Sequence, residues 1–205
     1  MMTKRAATAL ALSALLFGGP SLASAQGGGM TGMPGMSGMG KIVIPPGAQI
    51  TVADVEFMQG MIAHHAQAVY MSRLAAGHGA NPRVLALATM IDQSQIPEIV
   101  IMQNWLRRYK QFVPDTDSWH SMQMPGMLTD AQIKTLNAAQ GVEFDRKFLE
   151  YMIQHHSGAL KMVEDLFATP GAGQEVDTNV FANDVVTVQT TEIGIMLKLR
   201  KDQLP

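Results

Sequence analysis

Apolar positions recur every three to four residues over four long stretches of this chain, and no segment alternates with period two strongly enough to demand a strand. Each stretch predicts an amphipathic helix. The first opens at Thr51, which pairs with Asp54 three residues on as a capping box, and ends near Gly77 and Gly79. At 100° per residue, Asp54, Phe57, Met61, His64, His65, Ala68, Met71 and Ala75 fall in one stripe about 120° wide, so both histidines face inward. The second helix has Asn81 as cap and Pro82 at its first position, and runs to about Tyr109 with Ile91, Gln95, Glu98, Met102 and Trp105 on its inner stripe. Pro97 lies mid-helix, where its missing N–H should bend the helix or free the carbonyl of Gln93. Thr129-Asp-Ala-Gln132 opens a short helix, and Gly141 breaks the chain before a third long one, about Val142–Ala168, striped by Asp145, Phe148, Met152, His155, His156, Ala159 and Met162. The fourth, capped near Asp177, carries Val185, Gln189, Glu192, Met196 and Leu199.

The stripes repeat because the chain is duplicated. Asp54–Met71 aligned on Asp145–Met162, an offset of 91 residues, keeps eight of 18 positions identical, the two His-His pairs among them. Gln95–Met102 aligned on Gln189–Met196 keeps five of eight at an offset of 94, which puts the three extra residues in the connecting loop. Two helical hairpins of one pattern, each apolar on one face, bury those faces best against each other. The fold class is therefore all-α: a four-helix bundle with pseudo-twofold symmetry over residues 51–205, made of halves 51–111 and 128–203 joined by a Met-rich linker, 112–127. The two histidine pairs should meet near its middle.

Composition changes this picture at the N-terminus. Lys4 and Arg5, the apolar run Ala6–Phe17 and Ala23-Ser24-Ala25 form a secretory signal peptide over residues 1–25, leaving Gln26 as the mature N-terminus. Twelve apolar residues are too few for a bilayer span, which needs about 20. The mature chain is thus expected in the periplasm or secreted, with no transmembrane helix. Residues 26–50 read as an arm and lead-in; Met30, Met33, Met36 and Met39 stand among glycines in a segment too poor in apolar surface to order itself. Lys4 and Arg5 leave with the signal, so 13 basic side chains face 17 acidic ones, with no basic run to attract nucleic acid. There is no cysteine, hence no disulfide and no thiolate metal site, but there are 17 methionines.

The candidate chemistry lies in the inward stripes. Met61, His64, His65 and Met71 lie along one side of their helix, as do Met152, His155, His156 and Met162, and each set can converge on a ligand. Imidazole suits several transition metals and a thioether selects copper(I), so the combination points to copper as the bound metal ion. Most methionine stripes are ordinary core filler, because Met packs irregular gaps. Two adjacent inward histidines in both halves are harder to explain that way, since neutral imidazoles in a core need partners. Glu98 and Glu192 are inward too, as acceptors for the imidazoles or as ligands themselves; Met102 and Met196 follow them on the same stripes. Asp54 and Asp145, in first turns, are expected to stabilise helix N-termini. In the linker, His120, Met122, Met124 and Met127 fall within eight residues and read as a surface copper site, while His78 reads as an exposed helix end. The arm methionines are either a copper(I) wrap or a plain linker. Protonation should release copper from a His-dependent site as pH falls toward about 6.

The duplicated Asp-x-x-Phe-x-x-x-Met-Ile-x-His-His-x-x-Ala-x-x-Met followed by Gln-x-x-Glu-Ile-x-x-Met resembles the domain-of-unknown-function 305 family, which includes CopM-like periplasmic copper-binding proteins. The resemblance implies a ferritin-like four-helix bundle, export, and copper binding at His64, His65, Met61 and Met71 with His155, His156, Met152 and Met162. The chain departs from the symmetric pattern at Pro97, at Leu149 where the first copy has Met58, and in its Met-rich arm. The expected role is a buffer or chaperone that holds copper(I) and exchanges it with a copper-exporting or copper-accepting protein; nothing suggests turnover. Two other readings stay open. One is a ferritin-like di-metal oxidoreductase built on Glu98, Glu192 and the histidines, against which no Glu-x-x-His occurs in the chain. The other is a helical module that binds no metal, with the histidines as core polar residues or a pH switch.

Overall fold

A computed structural model describes residues 41–203; the signal segment and the arm methionines lie outside the described residues. The helices in chain order are α1 (Val52–Gly77), α2 (Pro82–Arg108), α3 (Asp130–Ala138), α4 (Gly141–Ala168) and α5 (Val176–Gln203), with a 3-10 turn at Thr116–His120. Among the described residues there is no strand. The architecture is the expected all-helical bundle: α1 pairs with α2, α4 with α5, α1 also packs on α4, and α2 barely meets α5.

Local chemistry explains the helix ends. Thr51 accepts from the Asp54 N–H at 3.2 Å and donates its own N–H to that carboxylate at 2.7 Å, and Thr129 and Gln132 repeat the device at α3. Asn81 caps α2 by accepting from Arg83 N. At α5 the cap differs from expectation: Glu175, not Asp177, accepts from the Thr178 N–H and hydroxyl, both at 2.9 Å. The helix α2 runs unbroken through Pro97. By length and composition it is the one helix among the described residues apolar enough to cross a bilayer; it packs along α1, with 33% of that apolar stretch buried.

The largest departure from the stripe pattern is α1 itself, which is buried on every side from Ala53 to Val69. A third surface hides what helices α2 and α4 do not. The linker runs along α1 as a strap, and the polar residues of that face are there to hold it. Gln59 donates to Phe112 O at 2.8 Å, and Gln67 both donates to Leu128 O at 3.1 Å and accepts from Leu128 N at 2.7 Å. His78 is likewise not a free helix end: it is half-buried, Nδ1 donating to Ala139 O at 3.0 Å, its ring on Phe144.

The apolar interior forms two cores that the duplication exchanges. One contains Phe57, Met61, Met102, Met162 and Val185; the other contains their counterparts Phe148, Met152, Met196, Met71 and Ile91. Each α1 or α4 residue therefore shares its core with residues from the far end of the other central helix, so these two helices run past each other in opposite directions. The crossing is tied at both ends by buried aspartates. Asp54 Oδ1 accepts from Gly173 N at 2.7 Å in the α4–α5 loop, and Asp145 accepts from Asn81 N at 3.1 and 3.2 Å in the α1–α2 loop. Each aspartate anchors the opposite hairpin; Asp54 also fills the expected helix-end role, whereas Asp145, the fifth residue of α4, makes no cap bond to its own helix.

Candidate metal centre

Where α1 crosses α4, the two cores are separated by a polar layer. His64, His65, His155 and His156 are all inaccessible to solvent, and the His64 and His155 rings lie against each other with centroids 3.8 Å apart. On either side an acid holds the second member of each pair: His65 Nε2 lies 2.6 Å from Glu98 Oε2 on α2, and His156 Nε2 lies 2.6 Å from Glu192 Oε2 on α5. The carboxylates occupy the position of imidazole acceptors, an arrangement that fixes ring orientation. They are not equivalent, the Glu98 side chain being 17% exposed and that of Glu192 3%.

Tautomers follow from the partners. The His64 Nε2 lies 3.1 Å from the Pro125 carbonyl, which can only accept, so Nε2 carries the proton. Burial, reinforced by neighbouring His65, lowers the His64 pKa to about 3, and burial and His64 push that of His155 well below the ordinary imidazole value. A neutral ring protonated at Nε2 has a bare lone pair at Nδ1. The Nδ1 atoms of His64, His65 and His156, and both ring nitrogens of His155, are buried without a hydrogen-bond partner. Gln95 and Gln189, equivalent residues one turn before Glu98 and Glu192, also bury amide groups that nothing satisfies. Such groups cost about 1–3 kcal/mol each when left unpaired. A soft cation that accepts imidazole lone pairs fits this layer.

Thioethers flank this layer, in an arrangement different from that expected. Met61 and Met71 lie in different cores, as do Met152 and Met162, so neither helix gathers its own methionines on one ion. The reason is length: ten residues of helix rise about 15 Å. The sets that do share a core mix the halves, Met61 with Met162 and Met102, and Met71 with Met152 and Met196. The linker cluster is also rearranged. Met122, Met124 and Met127 are buried in the first core, with Met124 Sδ and Met162 Cε 3.7 and 3.4 Å from where a Cβ on Gly60 would lie, while His120 is exposed and stacked on Trp119. They do not form a surface site. The first core consequently holds seven methionines and the second three, which concentrates soft donors on one side of the histidine layer. Among the described residues no three His, Asp or Glu side chains converge tightly enough to chelate an ion by themselves, so a bound ion would need these thioethers or a turn of the rings.

The strap completes the site, and its role was not anticipated from sequence. Gly126 has φ +79°, and Gly158 of α4 packs so closely beneath it that a Cβ there would come within 1.9 Å of Pro125 O. That contact sets the carbonyl against His64. The available signal was Gly158 itself, a glycine in a helix interior that costs about 1 kcal/mol relative to alanine and so requires a packing reason.

Comparison with known proteins agrees with this architecture. A DUF305 protein of Streptomyces coelicolor is 30% identical with a TM-score of 0.63, covering 76% of this chain and 95% of its own. A DUF305 fragment of Deinococcus radiodurans is 27% identical with a TM-score of 0.65, covering 76% and 97%. CopM in its Cu(I)-bound form is 26% identical with a TM-score of 0.61, covering 76% and 100%; CopM has also been solved with Cu(II) and with silver. No curated protein matches the chain. The family model described as domain of unknown function (DUF305) matches residues 54–200, and the chain accordingly belongs to the DUF305 family.

Proposed function

We propose that this protein holds copper(I) in the layer where its two halves cross, as an exported buffer or chaperone that exchanges the ion with a copper-exporting or copper-accepting partner. The observation that carries the reading is the set of unpartnered ring nitrogens, four buried histidines among them neutralised by burial or held by acids, next to a core rich in thioethers. Neutral imidazole and thioether together are a donor set for soft copper(I), and the lack of any cysteine leaves methionine as the soft ligand. The structural likeness to CopM, known in copper and silver forms, supports the same ion. The basic and apolar N-terminal segment supports export to the periplasm or beyond the cell. His64, His65, His155 and His156 would supply nitrogen, Met61, Met102 and Met162 sulfur, with Met71, Met152 and Met196 as a weaker second set. Glu98 and Glu192 would hold the rings and balance the ion's charge.

The test is an anaerobic copper(I) competition titration of the chain beside a variant with all four histidines changed to alanine. The expected result is loss of the tightest sites in a variant that remains helical. Equal binding by both would make the histidines structural.

A further inference from the structure

The bundle has two grooves between α2 and α5, of about 380 and 430 Å³, and the duplication maps one onto the other. The first is lined by Met58, Trp105, Phe181, Arg108, Asp177 and Asp184 among others. At the 94-residue offset Trp105 becomes Leu199, Phe181 becomes Leu87, Asp177 becomes Arg83 and Asp184 becomes Met90, all lining the second groove. Each groove has one Arg of α2 paired with an Asp of α5, Arg108 with Asp177 in the first and Arg83 with Asp202 in the second, so positions that the repeat makes equivalent carry opposite signs. After those pairs cancel, the first groove keeps the exposed carboxylate of Asp184, whereas the second has Met90 there and gains Lys198 in place of Asn104. One duplicated groove therefore attracts cations and its mate repels them.

The interior behind the two grooves differs in the same sense. Met58, fully buried yet lining the first groove, has Leu149 as its counterpart in the second half. Phe181 stands between this groove and the histidine layer, its ring centroid 6.3 Å from that of His65, whose Nδ1 is buried and unpartnered. The first groove borders the core with seven methionines, and the acid of its histidine pair, Glu98, is the more exposed of the two. On this side a free carboxylate and Met58 line one groove, with Phe181 between it and the bare Nδ1 of His65, whereas the mate groove has the exposed Met90 thioether and no free carboxylate.

We propose that the groove beside Trp105 is the port through which copper(I) boards the protein: Asp184 draws the ion into the groove, the buried Met58 thioether beneath it receives the ion, and it passes Phe181 to His65. This inference rests on the copper reading above. It makes the duplicated molecule functionally one-sided, with a single point of exchange for a donor or acceptor protein.

The test follows transfer of copper(I) from a coloured chelator complex to the apo-chain, anaerobically, with Trp105 emission as a second signal in a Trp119→Phe background. Met58→Leu restores the residue of the other half at nearly equal volume, and Asp184→Asn removes the surface charge. Each should slow transfer by about fivefold or more without changing the copper finally bound. Met58→Leu should also abolish the early quenching of Trp105, and Met90→Leu in the mate groove should change neither signal. Transfer at the unmodified rate in both Met58→Leu and Asp184→Asn, with the four-histidine variant still losing its sites, would overturn the port and leave the copper reading intact. If the unmodified chain strips no copper from the chelator, both fall together.

Discussion

His64 and His155 are neutral because they are buried against each other, and that neutrality has a sign in pH. As pH falls through 6.5 the unfolded chain protonates both rings, while folded His64 refuses its proton down to about 3. Stability is therefore fully present above about pH 6.5 and declines below it, by about 1.4 kcal/mol per unit for each such residue. Urea denaturation of the metal-free chain at pH 7, 5.5 and 4.5 should show this decline, and His64→Gln, whose amide can still donate to Pro125 O, should flatten it. Under the proposed copper reading, protons would compete poorly for the depressed His64 and His155 rings, and copper retained by the chain against pH, measured by equilibrium dialysis, is expected to fall below pH 6 rather than at it. At this scale Gly158 is the residue least open to change. A methyl group there meets Pro125 backbone rather than a pliable side chain, so Gly158→Ala should cost about 2–3 kcal/mol in urea denaturation by displacing the strap.

Among the elements, α1, α2 and the short α3 were legible because their caps are local: Thr51 with Asp54, Asn81 with Pro82 and Thr129 with Gln132 act within one turn, and the long helices also carry their period. What periodicity could not supply was the strap. Residues 112–128 have no apolar stripe and only one 3-10 turn capped by Asp115, and their placement depends on Gln59 and Gln67, whose partners lie 53 and 61 residues away. Hence Met122, Met124 and Met127 read as a surface cluster when they are core, and α1 read as having an outer face when it has none. The candidate site was half legible for a related reason. Phase alone put the histidines and both glutamates inside, but which methionines share a core depends on how α1 crosses α4, and that is tertiary. Gln67→Ala tests the strap directly. It leaves the buried N–H and carbonyl of Leu128 unpaired, should cost about 1–3 kcal/mol, and should open the linker to limited proteolysis before the bundle unfolds.

Across the whole molecule, the duplication fixes a frame and the unpaired differences give it direction. Asp54 and Asp145 bind each hairpin to the other's loop, and the two cores exchange under the repeat, so the frame is symmetric. Met58, Asp184 and the exposure of Glu98 break it on one side. The complete burial of α1 carries a further consequence, for the order in which the chain can assemble. A hairpin of α1 and α2 alone would leave the histidine face of α1 in water until α4 arrives, and its glutamine face until the strap is laid. A chain emerging from its N-terminus therefore makes its central helix first and finishes it last, and the histidine layer cannot exist before residue 156 has joined. The second half completes what the first begins, and any ion held between the halves can stabilise only what both have already built.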